Sequence, residues 1–139
     1  MVDQGMDERA RRLLRVAVVQ DRSATWSLAD QLKSEAFQLT SIGTLAGLEE
    51  MLFAGNVDVV VADPEFREAW PTKVGQQLDQ HAARRCPVIV VCRSADTAAL
   101  IKRRTAAILD VLLKDDVSAE DLRELVQGAS LRFRTRMRP

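Results

Sequence analysis

The run from Val57 to Asp63, VDVVVAD, constrains the fold of this chain more than any other segment. A short stretch dominated by valine is typical of a strand that is buried on both faces, as in the middle of a parallel sheet. Pro64 follows directly and ends the pattern. In open parallel α/β sheets, ligands and chemistry collect at the carboxyl ends of the strands. Asp63 is therefore either a cap for the next turn or helix, or a site residue.

Strand-like apolar runs alternate with segments of helical period along the sequence, which predicts a parallel α/β sheet. The predicted strands are 15–19, 38–42, 57–63, 87–92 and 107–113. The predicted helices run from Ser23 through Ala36, from Leu45 to Ala54 with Gly55 as its stop, within 64–85 after a loop, from Asp96 or Thr97 through Arg104, and onward from Ser118. Units of this kind with short connections fit the doubly wound flavodoxin-like sheet with strand order 2-1-3-4-5.

The length of 139 residues fits one domain with a single core. Lysine plus arginine and aspartate plus glutamate each number 20, so no global field favours nucleic acid. The apolar runs are too short to span a membrane. We expect a polar extension at 1–14, the folded domain at 15–130, and a basic tail at 131–139. That tail is either the frayed end of the last helix or the start of a linker.

The expected location is cytoplasmic, because the polar N-terminus does not resemble a secretion signal. Cys86 and Cys92 lack the spacing of metal ligands. The sequence favours two reduced thiols over a disulfide.

Charged residues follow two further strands. Asp21 comes after strand one, and Lys114 comes directly after strand five. In the order 2-1-3-4-5, strands one and three border the crevice where ligands bind. Asp21 and Asp63 are therefore expected to face each other across it, and the two acids with the lysine form a candidate site.

From about residue 15 to residue 127 the chain resembles a receiver domain of bacterial two-component response regulators. The resemblance implies that Asp63 accepts a phosphoryl group from the histidine of a sensor kinase or phosphotransfer protein. It also implies that Lys114 contacts the phosphoryl oxygens and that Asp21 binds a divalent cation. Cys92 ends strand four at the position where the family carries Thr or Ser.

The resemblance further implies a magnesium site. Mg²⁺ takes oxygen ligands and keeps several of its waters. Asp21, Asp63 and the backbone carbonyl of Glu65 are the expected ligands, with Gln20 as a weak one. Because Gln20 stands where the family has an acid, the expected affinity for Mg²⁺ is low. We expect Lys114 to pair with Asp63 when no phosphoryl group is present.

Other positions depart from the family pattern and favour a second hypothesis. Cys92 offers a thiol, a weak hydrogen-bond donor, in place of a hydroxyl. Val111 stands where many receivers carry Tyr or Phe, and Asp115 stands where a proline usually follows the lysine. These departures favour a pseudo-receiver, an interaction or dimerisation module that works without phosphorylation.

Both hypotheses assign partners to the surface of the domain. A homodimer could form through the helix at 96–104, strand five and the last helix, with Lys102 and Arg103 pairing with Asp121 and Glu124 across it. A downstream effector domain is the other partner considered, and no membrane or nucleic-acid partner is expected.

A third hypothesis, from another class, is a flavodoxin-like enzyme or nucleotide binder. Gly43 and Gly47 do not form a glycine-rich phosphate loop of either common type. We therefore expect a non-enzymatic protein.

Overall fold

The computed structural model describes residues 13–22, 24–64, 86–104 and 108–137. The strands are β1 Leu14–Val19, β2 Phe37–Ile42, β3 Val59–Ala62, β4 Val88–Cys92 and β5 Asp110–Leu113. The helices are α1 Leu28–Leu32, α2 Leu45–Ala54, α3 Ala95–Arg104 and α4 Ala119–Met137, with a 3₁₀ turn at Lys114–Asp116. The helix predicted within 64–85 lies outside the described residues, apart from Pro64.

The five strands form one parallel sheet in the order β2-β1-β3-β4-β5, which confirms the predicted fold. Val19 at the end of β1 pairs with Ala62 at the end of β3. Ala62 in turn pairs with Val90, two residues before the end of β4. The residues that follow β1, β3 and β4 therefore emerge at the same edge of the sheet.

The core lies on both faces of the sheet, because side chains alternate along each strand. All residues of β3 and β4 are buried, as the valine-rich pattern predicts. On one face the strands pack against α1 and α4, through Leu28, Leu32, Leu122, Val126 and Ala129. On the other face they pack against α2 and α3, through Leu48, Ala98 and Ile101.

The prediction for the first helix is wrong in both of its bounds. The helix is only Leu28–Leu32, and its cap is Ser27, whose Oγ accepts from the backbone N of Asp30 at 3.2 Å. Ser23 lies outside the described residues. Past the helix, Ser34 Oγ accepts from the backbone N of Ala36 at 3.1 Å, a local bond that competes with helical hydrogen bonding.

The other helix boundaries agree more closely with the sequence. Gly55 ends α2 in the left-handed conformation with φ of 73°, as its place after the helix predicts. Ser118 caps α4, since its Oγ accepts from the backbone N of Asp121 at 3.0 Å. Ser94 caps α3 through the backbone N of Thr97 at 3.1 Å, so α3 begins slightly earlier than predicted. Helix α4 continues to Met137, through most of the segment predicted as a tail.

A bidentate ion pair joins β1 to the residue before β3. Asp58 Oδ1 accepts from Arg15 Nη2 at 3.1 Å, and its Oδ2 accepts from Arg15 Nε at 3.2 Å. The same Oδ2 accepts from the backbone N of Arg15 at 2.8 Å. Asp58 raises the pKa of the Arg15 guanidinium, first by hydrogen bonding and then by its charge. The contact lies at the amino-terminal edge of the sheet, opposite Asp63.

Candidate functional site

Asp63 lies at the carboxyl end of β3, directly beside the end of β1. Its backbone N donates to Val19 O at 2.8 Å, which continues the β1–β3 pairing by one residue. This pairing brings Gln20, the residue after Val19, next to Asp63. Asp63 is fully buried. Among the residues that the structure describes, it is the only buried one with a charged side chain. A buried carboxylate needs hydrogen bonds or an opposite charge to offset its lost hydration.

Gln20 supplies the first of these contacts. Its Nε2 donates to Asp63 Oδ2 at 2.9 Å and to the backbone O of Trp26 at 2.6 Å. Its Oε1 accepts from the backbone N of Leu28, at the start of α1, at 2.9 Å. A backbone carbonyl only accepts and a backbone N–H only donates, so the two backbone partners fix the orientation of the amide. Gln20 therefore turns its nitrogen, not the oxygen predicted as a weak metal ligand, toward Asp63.

Arg93 supplies the second contact. Its Nε lies 3.7 Å from Asp63 Oδ2, and its side chain is 30% exposed. Arg93 follows directly on Cys92, the last residue of β4, and so emerges at the same edge of the sheet. Arg93 is not among the site residues predicted from the sequence, although its place directly after strand four is a signal that could have identified it. Gln20, Asp63 and Arg93 together are called the Asp63 centre below.

Lys114 follows β5, as predicted, and begins the 3₁₀ turn. Its Nζ lies 5.0 Å from the centroid of the Trp26 ring, a distance at which an ammonium is attracted to an aromatic face. The ion pair that the structure shows at Asp63 comes from Arg93. The cation paired with Asp63 is thus Arg93, which directly follows the neighbouring strand β4, while the predicted lysine lies against the indole.

The remaining predicted site residues differ in their surroundings. Asp21 is half-buried and its backbone O accepts from the backbone N of Ala24 at 3.1 Å, which forms a turn after β1. Cys92 is fully buried and belongs to the apolar cluster on the α2 and α3 face, with half-buried Val111 packed against it. Both cysteines are thiols that do not form a disulfide, as predicted. Glu65 lies outside the described residues.

Within 13–22, 24–64, 86–104 and 108–137, no group of three or more His, Cys, Asp or Glu side chains is arranged to hold a metal ion. Over the same part of the chain, no helix is both long and apolar enough to cross a membrane.

The fold is that of response-regulator receiver domains. A response regulator receiver domain protein from Clostridium thermocellum superposes with a TM-score of 0.69 at 20% identity, over 90% of this chain and 100% of the other. A CheY-like receiver domain protein from Methanospirillum hungatei superposes with a TM-score of 0.68 at 16% identity, over 90% of this chain and 99% of the other.

A response regulator receiver protein from Pseudomonas putida gives a TM-score of 0.66 at 19% identity, over 84% of this chain and 98% of the other. No protein-family model matches the sequence, and no curated protein matches it either.

Proposed function

We propose that this chain is a receiver-type signalling module that works through protein contacts, without phosphorylation of Asp63 and without catalysis of its own. The observation that carries this proposal is the environment of the Asp63 carboxylate. It is fully buried, and its Oδ2 already holds the amide of Gln20 and the guanidinium of Arg93. Phosphoryl transfer depends on positioning a nucleophilic oxygen in line with the phosphorus. An oxygen enclosed and shared in this way is a poor acceptor.

The phosphorylation state is tested by incubating the full chain with acetyl phosphate and Mg²⁺ and measuring its intact mass. We expect no phosphoryl adduct that depends on Asp63, so that the wild type and Asp63→Asn give the same spectrum. An adduct that appears on the wild type and is absent from Asp63→Asn would overturn the proposal. A receiver known to be modified by acetyl phosphate, treated in parallel, serves as the positive control for the reagent.

A second candidate is a phosphoacceptor receiver served by a sensor histidine kinase or phosphotransfer protein. It is favoured by the place of Asp63 and Lys114 directly after β3 and β5, at the carboxyl edge of the sheet. In this candidate a magnesium ion bound near Asp21 and Asp63 would assist the transfer. The adduct in the acetyl phosphate experiment is the result that this candidate predicts.

The proposed contact surface is a groove of about 930 Å³ that runs over β5 between α3 and α4. It is called the β5 groove below. Its apolar lining includes Ala98, Ala99, Val111, Leu113, Leu125 and Gly128. Leu131 lines the same groove and is 66% exposed. An exposed apolar surface with a charged rim is typical of a protein interface.

The charges around the β5 groove favour a second copy of this chain as the occupant. Lys102 lies on the α3 wall, and Asp121 and Glu124 lie on the α4 wall. A two-fold axis that runs along the groove would set each Lys102 opposite the acids of the other copy, as a self-complementary interface requires. This dimer agrees with the cross-subunit pairs expected from the sequence.

Charge reversal tests the dimer. Lys102→Glu and Glu124→Lys should each raise the dimer dissociation constant by about tenfold or more, because like charges then meet across the interface. The double variant should recover most of the affinity. Sedimentation equilibrium measures the dissociation constants. The matched control is Lys33→Glu, which reverses the charge of an exposed lysine directly after α1. A wild type that stays monomeric throughout, or a control that weakens the dimer equally, contradicts this dimer.

A further inference from the structure

Because Asp63 is buried, its carboxylate needs a compensating positive charge. Either a side chain of this chain or a bound cation can supply that charge. The side chain of Asp63 is 1% exposed, so water contributes little to its stabilisation. An ionised carboxylate in such surroundings needs an opposite charge as well as hydrogen bonds. In the family that the sequence resembles, a bound divalent cation supplies that charge.

Gln20 contributes a hydrogen bond to the centre but no charge. Its orientation is fixed by Trp26 O and Leu28 N, so its side-chain oxygen bonds to α1 while its nitrogen faces Asp63. A metal ion beside Asp63 would meet the N–H group of Gln20 where it needs an oxygen. The residue that replaces the family's acid thus removes a negative charge and also presents the wrong atom.

Arg93 brings a full positive charge to the same oxygen. Its Nε is buried, and it lies 3.7 Å from Asp63 Oδ2. The guanidinium is thus a positive charge held beside the carboxylate. A divalent cation placed beside it would be repelled by like charge.

We propose that Arg93 is the resident counter-ion of the Asp63 centre, and that its guanidinium with the Gln20 amide takes the place of a divalent cation there. The residues present do not fit Mg²⁺, in contrast to the expectation from the family resemblance. The inference rests on the proposed function, since a centre neutralised from within has no need of the metal that supports phosphoryl transfer.

A double-mutant cycle on stability tests the pair itself. Arg93→Met removes the charge and keeps an unbranched side chain, and Asp63→Asn removes the carboxylate charge and keeps its shape. We expect Arg93→Met to lower the urea midpoint of the wild type, and to lower that of the Asp63→Asn protein by no more than about half as much, since coupled residues are not additive. Equal shifts in the two backgrounds would overturn the proposal.

Metal binding tests the replacement. Titration with Mn²⁺, followed by electron paramagnetic resonance of the free ion, should show no saturable site that depends on Asp63 in the wild type. The double variant Gln20→Asp with Arg93→Met restores an acid and removes the cation. It should show a saturable Mn²⁺ site with a dissociation constant at least about tenfold below the highest Mn²⁺ concentration at which the wild type shows none. Adding Asp63→Asn to that variant should abolish the gain.

Mn²⁺ binding by the wild type that is lost in Asp63→Asn would overturn the proposal, as would a folded double variant that gains no affinity. If the double variant does not fold, the stability cycle alone decides. The two proposals fail in different ways. A phosphoryl adduct on wild-type Asp63 ends the proposed function even where the Arg93 coupling is measured, whereas additive shifts in the cycle end the counter-ion and leave the interaction module standing.

Discussion

Gln20→Leu is expected to lower the free energy of unfolding by about 2–3 kcal/mol, because one side chain makes three hydrogen bonds worth about 1 kcal/mol each. The amide joins Asp63 to Trp26 O and to the first N–H of α1. Leucine has nearly the same volume, so packing is preserved while all three partners lose a bond. The largest cost is expected at Asp63, because it is buried and water cannot replace the lost hydrogen bond. Its contact with Arg93 remains in the variant.

Urea denaturation followed by far-UV circular dichroism measures this loss. Gln38→Leu is the matched control, since Gln38 is an exposed residue of the edge strand β2. A substitution at such a surface position is expected to change stability by less than about 0.5 kcal/mol. Equal effects of the two substitutions would show that the Gln20 amide does not hold the edge of the sheet together.

Ile89→Ala is expected to have the larger effect, a loss of about 3–4 kcal/mol. Ile89 is fully buried in β4 and packs in the cluster with Val91, Val59 and Leu122. Removing three carbons from a site enclosed by sheet and helix leaves a cavity that the neighbours only partly fill.

The same denaturation experiment measures this variant, with Phe53→Ala as its control. Phe53 is 94% exposed on α2, so a large apolar side chain is truncated there without a cavity, and the expected change is within about 0.5 kcal/mol. A small effect at Ile89 would mean that the core relaxes around the deletion and that β4 is not its rigid centre.

The architecture was accessible from the sequence because its strands are nearly pure apolar runs. Val59–Ala62 and Val88–Cys92 are buried at every residue, so a local pattern already carries the global placement. Helix α1 was not accessible in the same way. Its start depends on Gln20 and Ser27, two polar residues that both bond to backbone N–H groups at its beginning. The apolar stripe through Ala36 correctly indicated which side chains contact the core, since Ala36 packs against it. The stripe did not indicate that the segment is helical.

The candidate site was predicted only in part, and the reason lies in how cations are placed. Strand order predicted that the residues after strand one lie beside Asp63, with Asp21 facing it, and in the structure Gln20 makes the contact. Whether Lys114 or Arg93 contacts the Asp63 carboxylate depends on the conformations of their side chains. Those conformations are set by tertiary packing, which a local sequence pattern does not encode. Trp26 attracts Lys114, and Arg93 starts from the strand adjacent to β3. The family pattern pointed to Lys114 as the cation, whereas the ion pair that the structure shows at Asp63 is with Arg93.

The Arg15–Asp58 pair gives Asp63 a further meaning, because both ends of the β1–β3 pairing are marked by polar contacts. Arg15 and Asp58 are 43 residues apart, and Gln20 and Asp63 are also 43 residues apart. Between them lie valines and alanines, which would be buried almost equally well if one strand slid along the other. Apolar residues so alike carry little information about alignment. The polar contacts at the two ends therefore favour this register over one in which the strands have slipped. Asp63 thus has a structural role in the alignment of β1 and β3 that does not depend on a phosphoryl group.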